Sequence, residues 1–301
     1  MTKYLIGIDG GGSKTDFLLC DGDFNEIARR FDGRSNPNDI GIDAVLALIE
    51  DNLSAILRES GVKAGRIDAV YAGIAGLTSE DYAKRVKELL ASLLPSARVD
   101  ALHDGINVLF GAFPFEDGVS VICGTGSSCF VKCKGSIHRI GGYGSFDLIG
   151  NGYEIGKAAL GNALATADGR KKEGILEELL HIRLGDDFVI ALDRLLKMSK
   201  NEIASFAPTV FEAAEKGDLA AKQIIEENMR YIASLINRAG DYFEGEFKVA
   251  LAGGILSNPI SLAFLNGGML TDRARLIKSE RAPTFGAAAK ALSLLNAEPN
   301  L

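Results

Sequence analysis

Apolar and polar positions at the start of the chain alternate in short blocks that predict three strands. Residues 4–8 are apolar, residues 9–14 form a glycine-rich turn, and residues 15–20 are apolar again. A polar turn then precedes a third candidate strand at residues 26–31. Because no helical segment separates these blocks, the pattern predicts a β-meander and not a strand-helix-strand unit.

After the meander, the spacing of the apolar residues becomes that of a helix. Apolar residues over residues 39–60 recur with the period of an amphipathic helix. A buried strand is predicted at residues 68–75, followed by a helix at residues 79–94 with Ser79 as its N-cap. A further strand at residues 97–102 ends at His103 and Asp104, which open a short helix reaching about residue 113.

The same order of elements then begins again. Strands at residues 119–123, 129–133 and 136–140, with a glycine turn after the first, repeat the opening meander about 115 residues later. Helices dominate from residue 151 to residue 243, a strand follows at 247–251, and the last helix covers about 285–296. We therefore predict two α/β domains, residues 1–115 and residues 116–301, the second with a helical insertion and with the ligand cleft between the two.

Composition and charge restrict the possible partners. The chain is 47% hydrophobic, has a net charge of −7 and contains no Lys/Arg-rich run, so we expect neither a nucleic acid nor a membrane partner. The four cysteines form no C-x-x-C pair and are predicted to be buried, reduced thiols. With no leader-like start and no apolar run long enough to span a bilayer, a cytoplasmic location is expected.

The first motif with candidate chemistry is the turn from Asp9 to Thr15. Glycines let backbone amides approach phosphate oxygens, Lys14 can neutralise phosphate charge, and Asp9 can hold Mg²⁺ directly or through water. A Walker A loop is excluded, because the order is Gly-Ser-Lys and a strand, not a helix, follows. A plain glycine-rich hairpin remains the alternative.

Two further glycine turns follow buried strands. The turn from Gly124 to Ser128 lies between the first two strands of the second half, as the first motif does in the first half. The two hairpins are therefore predicted to bind phosphate from opposite sides. Gly253 and Gly254 close the strand at residues 247–251 and are predicted to lead into a helix, and a flat nucleoside can lie against the backbone of such a turn. Each turn, considered alone, is also compatible with an ordinary connection.

Four residues in three segments of the chain are candidates for binding an acceptor. Asp104, at the end of a strand, is suited to accept a hydroxyl proton, although it is also suited to cap the helix that follows. Asn36 lies in a Ser-Asn-Pro-Asn turn and can hydrogen-bond sugar hydroxyls. Backbone at Gly141 and Gly142 can also approach a sugar.

The order of these motifs resembles the BadF/BadG/BcrA/BcrD-type ATPase family, and within it the N-acetylglucosamine kinase branch. The motifs are DGGGSKT, SNPN, AGIAG, Asp104, CGTGSS, GGYG, LAGG and Pro283-x-x-Gly286-Ala287, and they extend over nearly the whole chain. The resemblance implies two ribonuclease-H-like domains of the actin-like ATPase fold with ATP between them. For the nucleotide, the resemblance implies Mg²⁺ binding by Asp9 and adenosine contact by Gly253 and Gly254. The residues that it implies for phosphate binding are Gly11, Gly12, Ser13, Lys14, Thr125, Gly126 and Ser127. For the acceptor, it implies base catalysis by Asp104 and sugar contact by Asn36, Gly141 and Gly142.

Two departures from the family pattern concern the acceptor site. The amino-sugar kinases usually carry Asn-Asp where this chain has His103-Asp104, and they usually continue into a GDEGSG-like run where this chain reads GGYGSFDLIGNG. Asp147 is the candidate replacement for the missing acid.

The resemblance predicts ATP-dependent phosphorylation of an amino sugar such as N-acetylglucosamine or glucosamine, with a homodimer possible. An activator-type ATPase and a regulatory or sugar-sensing protein of the same fold remain alternatives, and the sugar and its reacting hydroxyl are left open.

Overall fold

The computed structural model describes residues 2–77, 79–146, 149–185, 187–279 and 281–296. The chain forms two compact units. The first unit contains Met1–Asp117 and Ser279–Leu301, and the second contains Gly118–Lys278. The domain boundary predicted at residues 115 and 116 stays a prediction, but the last segment of the chain packs within the first unit.

The first unit is built on a five-stranded mixed sheet with the strand order β3-β2-β1-β4-β5. The three meander strands pair antiparallel, whereas β4 and β5 extend the sheet in parallel from β1. The strands are β1 (Tyr4–Gly10), β2 (Thr15–Asp21), β3 (Glu26–Asp32), β4 (Ala69–Ile74) and β5 (Arg98–Leu102). The helices α1 (Pro37–Ile40), α2 (Ile42–Ser60) and α3 (Glu80–Leu93) lie between these strands, and α4 (Gly105–Ala112) follows β5.

The core of this unit follows the sequence pattern. All six residues of β4 are buried, as expected for a central strand covered on both faces. Apolar side chains of α2 and α3, including Val45, Ile49 and Leu90, pack with Ile6 and Ile8 of β1 in one cluster. The predicted cap of α3 is confirmed, because the Ser79 hydroxyl accepts from the Tyr82 amide at 3.1 Å.

The second unit repeats the sheet order as β10-β9-β6-β7-β8. Again three antiparallel strands come first and two parallel strands extend the sheet from the first of them. The strands are β6 (Gly118–Cys123), β7 (Ser127–Cys133), β8 (Ser136–Ile140), β9 (Phe247–Ala252) and β10 (Ala274–Lys278). The predicted duplication of a strand-hairpin-strand unit is therefore confirmed.

Helices cover the segment between β8 and β9. They are α5 (Gly152–Ala167), α6 (Ile175–Leu184), α7 (Leu192–Leu196), α8 (Lys200–Ala204), α9 (Ala207–Glu215) and α10 (Leu219–Ala239). After β9 the helix α11 (Pro259–Phe264) begins several residues later than the glycine pair suggests, and α12 (Pro283–Asn296) ends the described chain. None of the helices in the described ranges is long and apolar enough to cross a membrane.

The C-terminal helix α12 packs in the first unit against β1 and α4. Gly7 allows this approach, because a methyl group added there would lie 2.5 Å from the Ala288 nitrogen. Gly286 allows the contact with α4, because a methyl group added there would lie 1.8 Å from the Asn107 carbonyl oxygen. Carbon atoms do not approach heavy atoms to which they are not bonded so closely, so both contacts depend on glycine.

Candidate active site

The hairpin between β1 and β2 presents its backbone to solvent. Gly12, Ser13 and Lys14 are exposed, and a methyl group added at Gly12 would meet no atom within 4 Å. The Gly11 amide closes the turn by donating to the Lys14 carbonyl at 2.9 Å. Lys14 lies over the exposed ring of Phe31, with Nζ 5.6 Å from the ring centre. Exposed amides beside a lysine form a place where phosphate can bind.

Asp9, at the end of β1, lies among other carboxylates. Burial raises the pKa of Asp9 to about 6; the charges of Asp104 and Asp16 add to the rise, while a hydrogen bond from Asn107 opposes it. Asp16 is the register partner of Asp9 on β2, but its own carboxylate is occupied by Arg29, at 3.0 and 2.6 Å. Within the described ranges, no cation forms an ion pair with Asp9. A divalent cation would relieve this concentration of negative charge.

Asn107, a residue that sequence reasoning missed, fixes the Asp9 carboxylate. Its side chain is fully buried, and Nδ2 donates to Asp9 Oδ1 at 2.6 Å and to the Gly73 carbonyl at 3.0 Å. A methyl group added at Gly73 would lie 2.0 Å from Asn107 Oδ1, so the first glycine of the AGIAG motif makes room for this amide. The available signal was a polar residue inside an otherwise apolar helix, Ile-Asn-Val-Leu-Phe.

Asp104 lies where β5 ends and α4 begins. It has helical backbone angles, φ −56° and ψ −25°, and its side chain makes no capping bond. The interpretation of Asp104 as a side-chain N-cap is therefore wrong. The Asp104 side chain is 32% exposed, and its carboxylate lies 2.8 Å from Nδ1 of His103. The carboxylate is thus available to a small molecule.

Asn36 is joined to the first hairpin through its neighbour. The Ser35 amide donates to the Gly11 carbonyl at 3.1 Å, and a methyl group added at Gly76 would lie 2.0 Å from Asn36 Oδ1. The Asn36 oxygen caps α1 by accepting from the Asn38 amide at 3.0 Å. The structural role of this turn is therefore confirmed, and sugar binding by Asn36 stays a prediction.

The second hairpin, between β6 and β7, is held by the N-terminus of α5. The amides of Gly152 and Tyr153 donate to the carbonyls of Gly124 and Thr125, at 2.8 and 3.1 Å. These hydrogen bonds occupy the carbonyl oxygens of Gly124 and Thr125 and fix the turn against α5. The Ser127 hydroxyl, at the start of β7, has no hydrogen-bond partner within the described part of the chain. An orphaned hydroxyl and a helix N-terminus are both suited to an anion.

The glycine pair after β9 is packed tightly against the end of β6. Gly253 has a left-handed φ of +94°, and a methyl group added there would lie 2.2 Å from the Cys123 carbonyl oxygen. Only glycine satisfies both conditions. A methyl group added at Gly254 would meet nothing within 4 Å, so the backbone beside Gly253 is open on one side.

A cavity of about 460 Å³ opens beside these two turns, within the second unit. Gly124, Thr125, Gly254 and Ile255 form one part of its lining, and Phe211 with its neighbours on α8 and α9 forms another. Polar side chains at its border include Asn201, Ser205, Glu212, Glu215 and Asn258. Its volume and mostly apolar lining with a few polar groups fit a nucleoside-sized ligand.

The glycine loop after β8 has a backbone that other residues cannot adopt without strain. Gly141 and Gly142 have left-handed φ values of +67° and +76°. Arg139 holds the loop by donating to the carbonyls of both glycines. A methyl group added at Gly142 would lie 3.0 Å from the Ser127 carbonyl, so the loop packs on the second hairpin. Asp147 lies outside the described residues.

The family model of the BadF/BadG/BcrA/BcrD ATPase family matches residues 6–291. The chain belongs to this family. It is 30% identical over 299 residues to the N-acetylmuramic acid/N-acetylglucosamine kinase of Clostridium acetobutylicum, covering 95% of this chain and 97% of the relative. It is 28% identical to the N-acetyl-D-glucosamine kinase of Dictyostelium discoideum, covering 97% and 98%.

Solved structures confirm the predicted fold. A structural genomics target from Chromobacterium violaceum superposes with a TM-score of 0.76 at 24% identity, covering 97% of this chain and 99% of that one. The two five-stranded sheets with identical strand order are the actin-like arrangement that the sequence predicts. As a member of an ATPase family, the chain has ATP as its nucleotide.

Proposed function

We propose that this protein is an ATP-dependent kinase that phosphorylates a hydroxyl of an amino sugar. Relatives that align along nearly the whole chain are named as kinases of N-acetylmuramic acid and N-acetylglucosamine. The structural observation that carries the proposal is Asp104, a partly exposed carboxylate at a strand end that is not used as a helix cap. Phosphoryl transfer to an alcohol uses such a carboxylate to accept the hydroxyl proton.

The nucleoside of ATP is assigned to the cavity in the second unit. Gly253 and Gly254 give the adenosine a backbone surface, and Phe211 supplies an apolar one. Thr125, Gly126 and Ser127 are proposed to bind phosphate oxygens. On the first unit, Gly11, Gly12, Ser13 and Lys14 are proposed to do the same, since the last three of these residues are exposed.

Asp9 is the residue proposed to hold Mg²⁺. The described residues contain no group of three or more His, Cys, Asp or Glu side chains that could hold a metal on their own. Mg²⁺ commonly binds through one or two carboxylates together with substrate phosphates, so a single partly buried carboxylate close to other negative charges fits it. When bound, the ion would neutralise charge on the transferred phosphoryl group.

The acceptor sugar is assigned to Asp104 as base, with Asn36, Gly141, Gly142 and Asp147 as proposed contacts. Asp104 accepts the proton of the hydroxyl while that oxygen bonds to the γ-phosphorus and the bond to ADP breaks. Which of N-acetylglucosamine, glucosamine and N-acetylmuramic acid is used remains to be measured. We keep a cytoplasmic location and a homodimer as predictions.

The activator-type alternative needs cysteines that bind an iron–sulfur cluster. None of the four cysteines forms a disulfide, and all four are buried. Burial raises the pKa of Cys20, Cys123 and Cys129 to about 12, with nearby acids adding to the rise at Cys20. Cluster binding uses thiolates, so these cysteines are better explained as core residues.

A coupled ADP-release assay with MgATP and a panel of sugars tests the proposal. The panel contains N-acetylglucosamine, glucosamine, N-acetylmannosamine, N-acetylmuramic acid and glucose. We expect one amino sugar to stimulate ADP release and Asp104→Asn to abolish the stimulation. Asp168→Asn is the matched control, because Asp168 is an exposed residue at the end of α5. ADP release that no sugar stimulates would contradict the proposed function.

A further inference from the structure

The segment that carries Asn36 joins β3 to α1 and is attached to the first hairpin at two points. The Thr15 hydroxyl, at the start of β2, donates to the Gly33 carbonyl at 2.7 Å. The Ser35 amide donates to the Gly11 carbonyl at 3.1 Å. These two hydrogen bonds fix the path of the chain between the end of β3 and the residue proposed to contact the sugar.

The attachment is made on the buried side of the hairpin. Thr15 and Ser35 are both fully buried, and a methyl group added at Gly10 would lie 2.3 Å from Ser35 Oγ. A buried hydroxyl needs a partner inside the protein, because it cannot hydrogen-bond water instead. The Thr15 hydroxyl finds this partner in the Gly33 carbonyl, so the bond ties the position of Gly33 to that of β2.

The Asn36 side chain moves with the backbone of this segment. Its Oδ1 accepts from the Asn38 amide at 3.0 Å, and a methyl group added at Gly76 would lie 2.0 Å from the same oxygen. Because Oδ1 is occupied by the cap, Nδ2 is the end of the amide that can donate to a sugar oxygen. A shift of Gly33 and Ser35 would therefore displace Nδ2 from its place in the acceptor site.

We propose that Thr15 is a positioning residue for Asn36, an inference that rests on the proposed function. The Thr15 hydroxyl holds Gly33, and through it the Asn36 amide, in the position relative to the first hairpin that sugar binding requires. The Thr15 side chain is fully buried, so it acts through Asn36 and not by contact with a ligand. The hairpin proposed to bind phosphate thus also sets the place of a proposed sugar contact.

Thr15→Val removes the hydroxyl and keeps the branched shape of the side chain. We expect the KM for sugar to rise about fivefold, as the loss of one hydrogen bond predicts, with the KM for ATP unchanged. Thr15→Ser keeps the donor and should retain the wild-type KM for sugar. Thr166→Val is the matched control, because the Thr166 hydroxyl also donates to a carbonyl, that of Asn162 near the end of α5, and it should keep both KM values.

A double variant separates positioning from general damage to the hairpin. Asn36→Ala removes the amide that Thr15 positions, so Thr15→Val should raise the KM for sugar no further in that background. A second fivefold rise in the double variant would overturn the proposal. A wild-type KM for sugar in Thr15→Val or in Asn36→Ala, or an equal rise in the KM for ATP in Thr15→Val, would overturn it as well.

Amide hydrogen exchange tests the attachment without using activity. In Thr15→Val the amides of residues 33–40 should exchange about fivefold faster than in wild type, whereas those of α3 should be unchanged. Thr15→Ala, which removes the same donor, takes its place if the valine variant does not fold. Equal exchange at residues 33–40 in variant and wild type would overturn the proposal. If no sugar is phosphorylated the proposed function fails, while the exchange experiment still decides whether Thr15 holds this segment.

Discussion

At the scale of single residues, the site depends on Asp9, a partly buried carboxylate whose charged form the fold alone does not favour. Asp9 is partly satisfied by Asn107 but remains close to Asp16 and Asp104. The negative charge of Asp9 therefore destabilises the folded state at neutral pH, and ligand binding can offset this loss of stability. Sites that bind cations commonly carry such locally unfavourable charge.

The stability of Asp9→Asn relative to wild type should depend on pH. Because the pKa of Asp9 rises from 3.8 to about 6 on folding, the folded state binds the proton more tightly. The wild type is thus penalised progressively as pH rises from about 4 to above 6, and Asp9→Asn should be more stable at pH 7 by up to about 3 kcal/mol. Urea unfolding without metal at pH 4 and pH 7 measures the difference. An equal difference at both pH values would contradict this account.

Asn107→Ala should lower both stability and activity. The substitution removes the donor of Asp9 and one donor to the Gly73 carbonyl, which should cost about 2–4 kcal/mol of unfolding free energy. Turnover of the folded protein should fall about tenfold or more, because Asp9 loses its orientation.

Asn52→Ala is the matched control for that variant, since Asn52 is also buried in the first unit and donates to Asp32 and the Leu48 carbonyl. Asn52→Ala should lose about as much unfolding free energy as Asn107→Ala does, but its turnover should stay at the wild-type level. Urea unfolding and ADP release measured on both variants separate the two effects. Full activity in Asn107→Ala would show that Asp9 needs no second residue to orient it.

At the scale of elements, the strand ends decide where the functional groups lie. Alternation and glycine turns predicted β1 to β9 and both hairpins from the sequence, because those signals are local, whereas β10 was not predicted. The delayed start of α11 was not predictable in the same way, since Gly253 turns against Cys123 and that contact is made between distant parts of the chain. Asn107 was missed for the same reason: its partners Asp9 and Gly73 lie on other elements.

Gly253→Ala should weaken ATP binding. Its methyl group would lie 2.2 Å from the Cys123 carbonyl at a φ of +94°, so the turn that borders the cavity must move. We expect the KM for ATP to rise about tenfold, with a smaller effect on the KM for sugar. Gly245→Ala is the control, because a methyl group there meets nothing within 4 Å. A Gly253→Ala enzyme with the KM of Gly245→Ala would contradict the assignment of this turn to the nucleotide.

At the scale of the whole molecule, two units with the same strand order carry different chemistry. The first provides the Asp9, Asn107 and Asp104 side chains, and the second provides the nucleoside-sized cavity. The repeat was visible in the sequence, whereas the packing of α12 in the first unit was not. An alanine-rich helix carries little information about its partner, which the contacts of Gly7 and Gly286 show in the structure.

Gly286→Ala should destabilise the first unit. The added methyl group would lie 1.8 Å from the Asn107 carbonyl, so α12 and α4 must separate, at a cost of about 2 kcal/mol or more. Gly161→Ala, on an exposed position of α5 with no atom within 4 Å, should instead stabilise by about 1 kcal/mol. Thermal unfolding of both variants checks the sign, and a Gly286→Ala protein as stable as wild type would refute the close packing of these helices.

The most direct test of the central claim is to follow phosphoryl transfer by ³¹P NMR with MgATP and the best sugar of the panel, in wild type and Asp104→Asn. We predict that wild type forms a sugar phosphate and that Asp104→Asn loses turnover by about a hundredfold or more while its calorimetric ATP affinity stays unchanged. Turnover by Asp104→Asn at the wild-type rate would contradict the assignment of the base. Failure of the wild type to form any sugar phosphate would contradict the account as a whole.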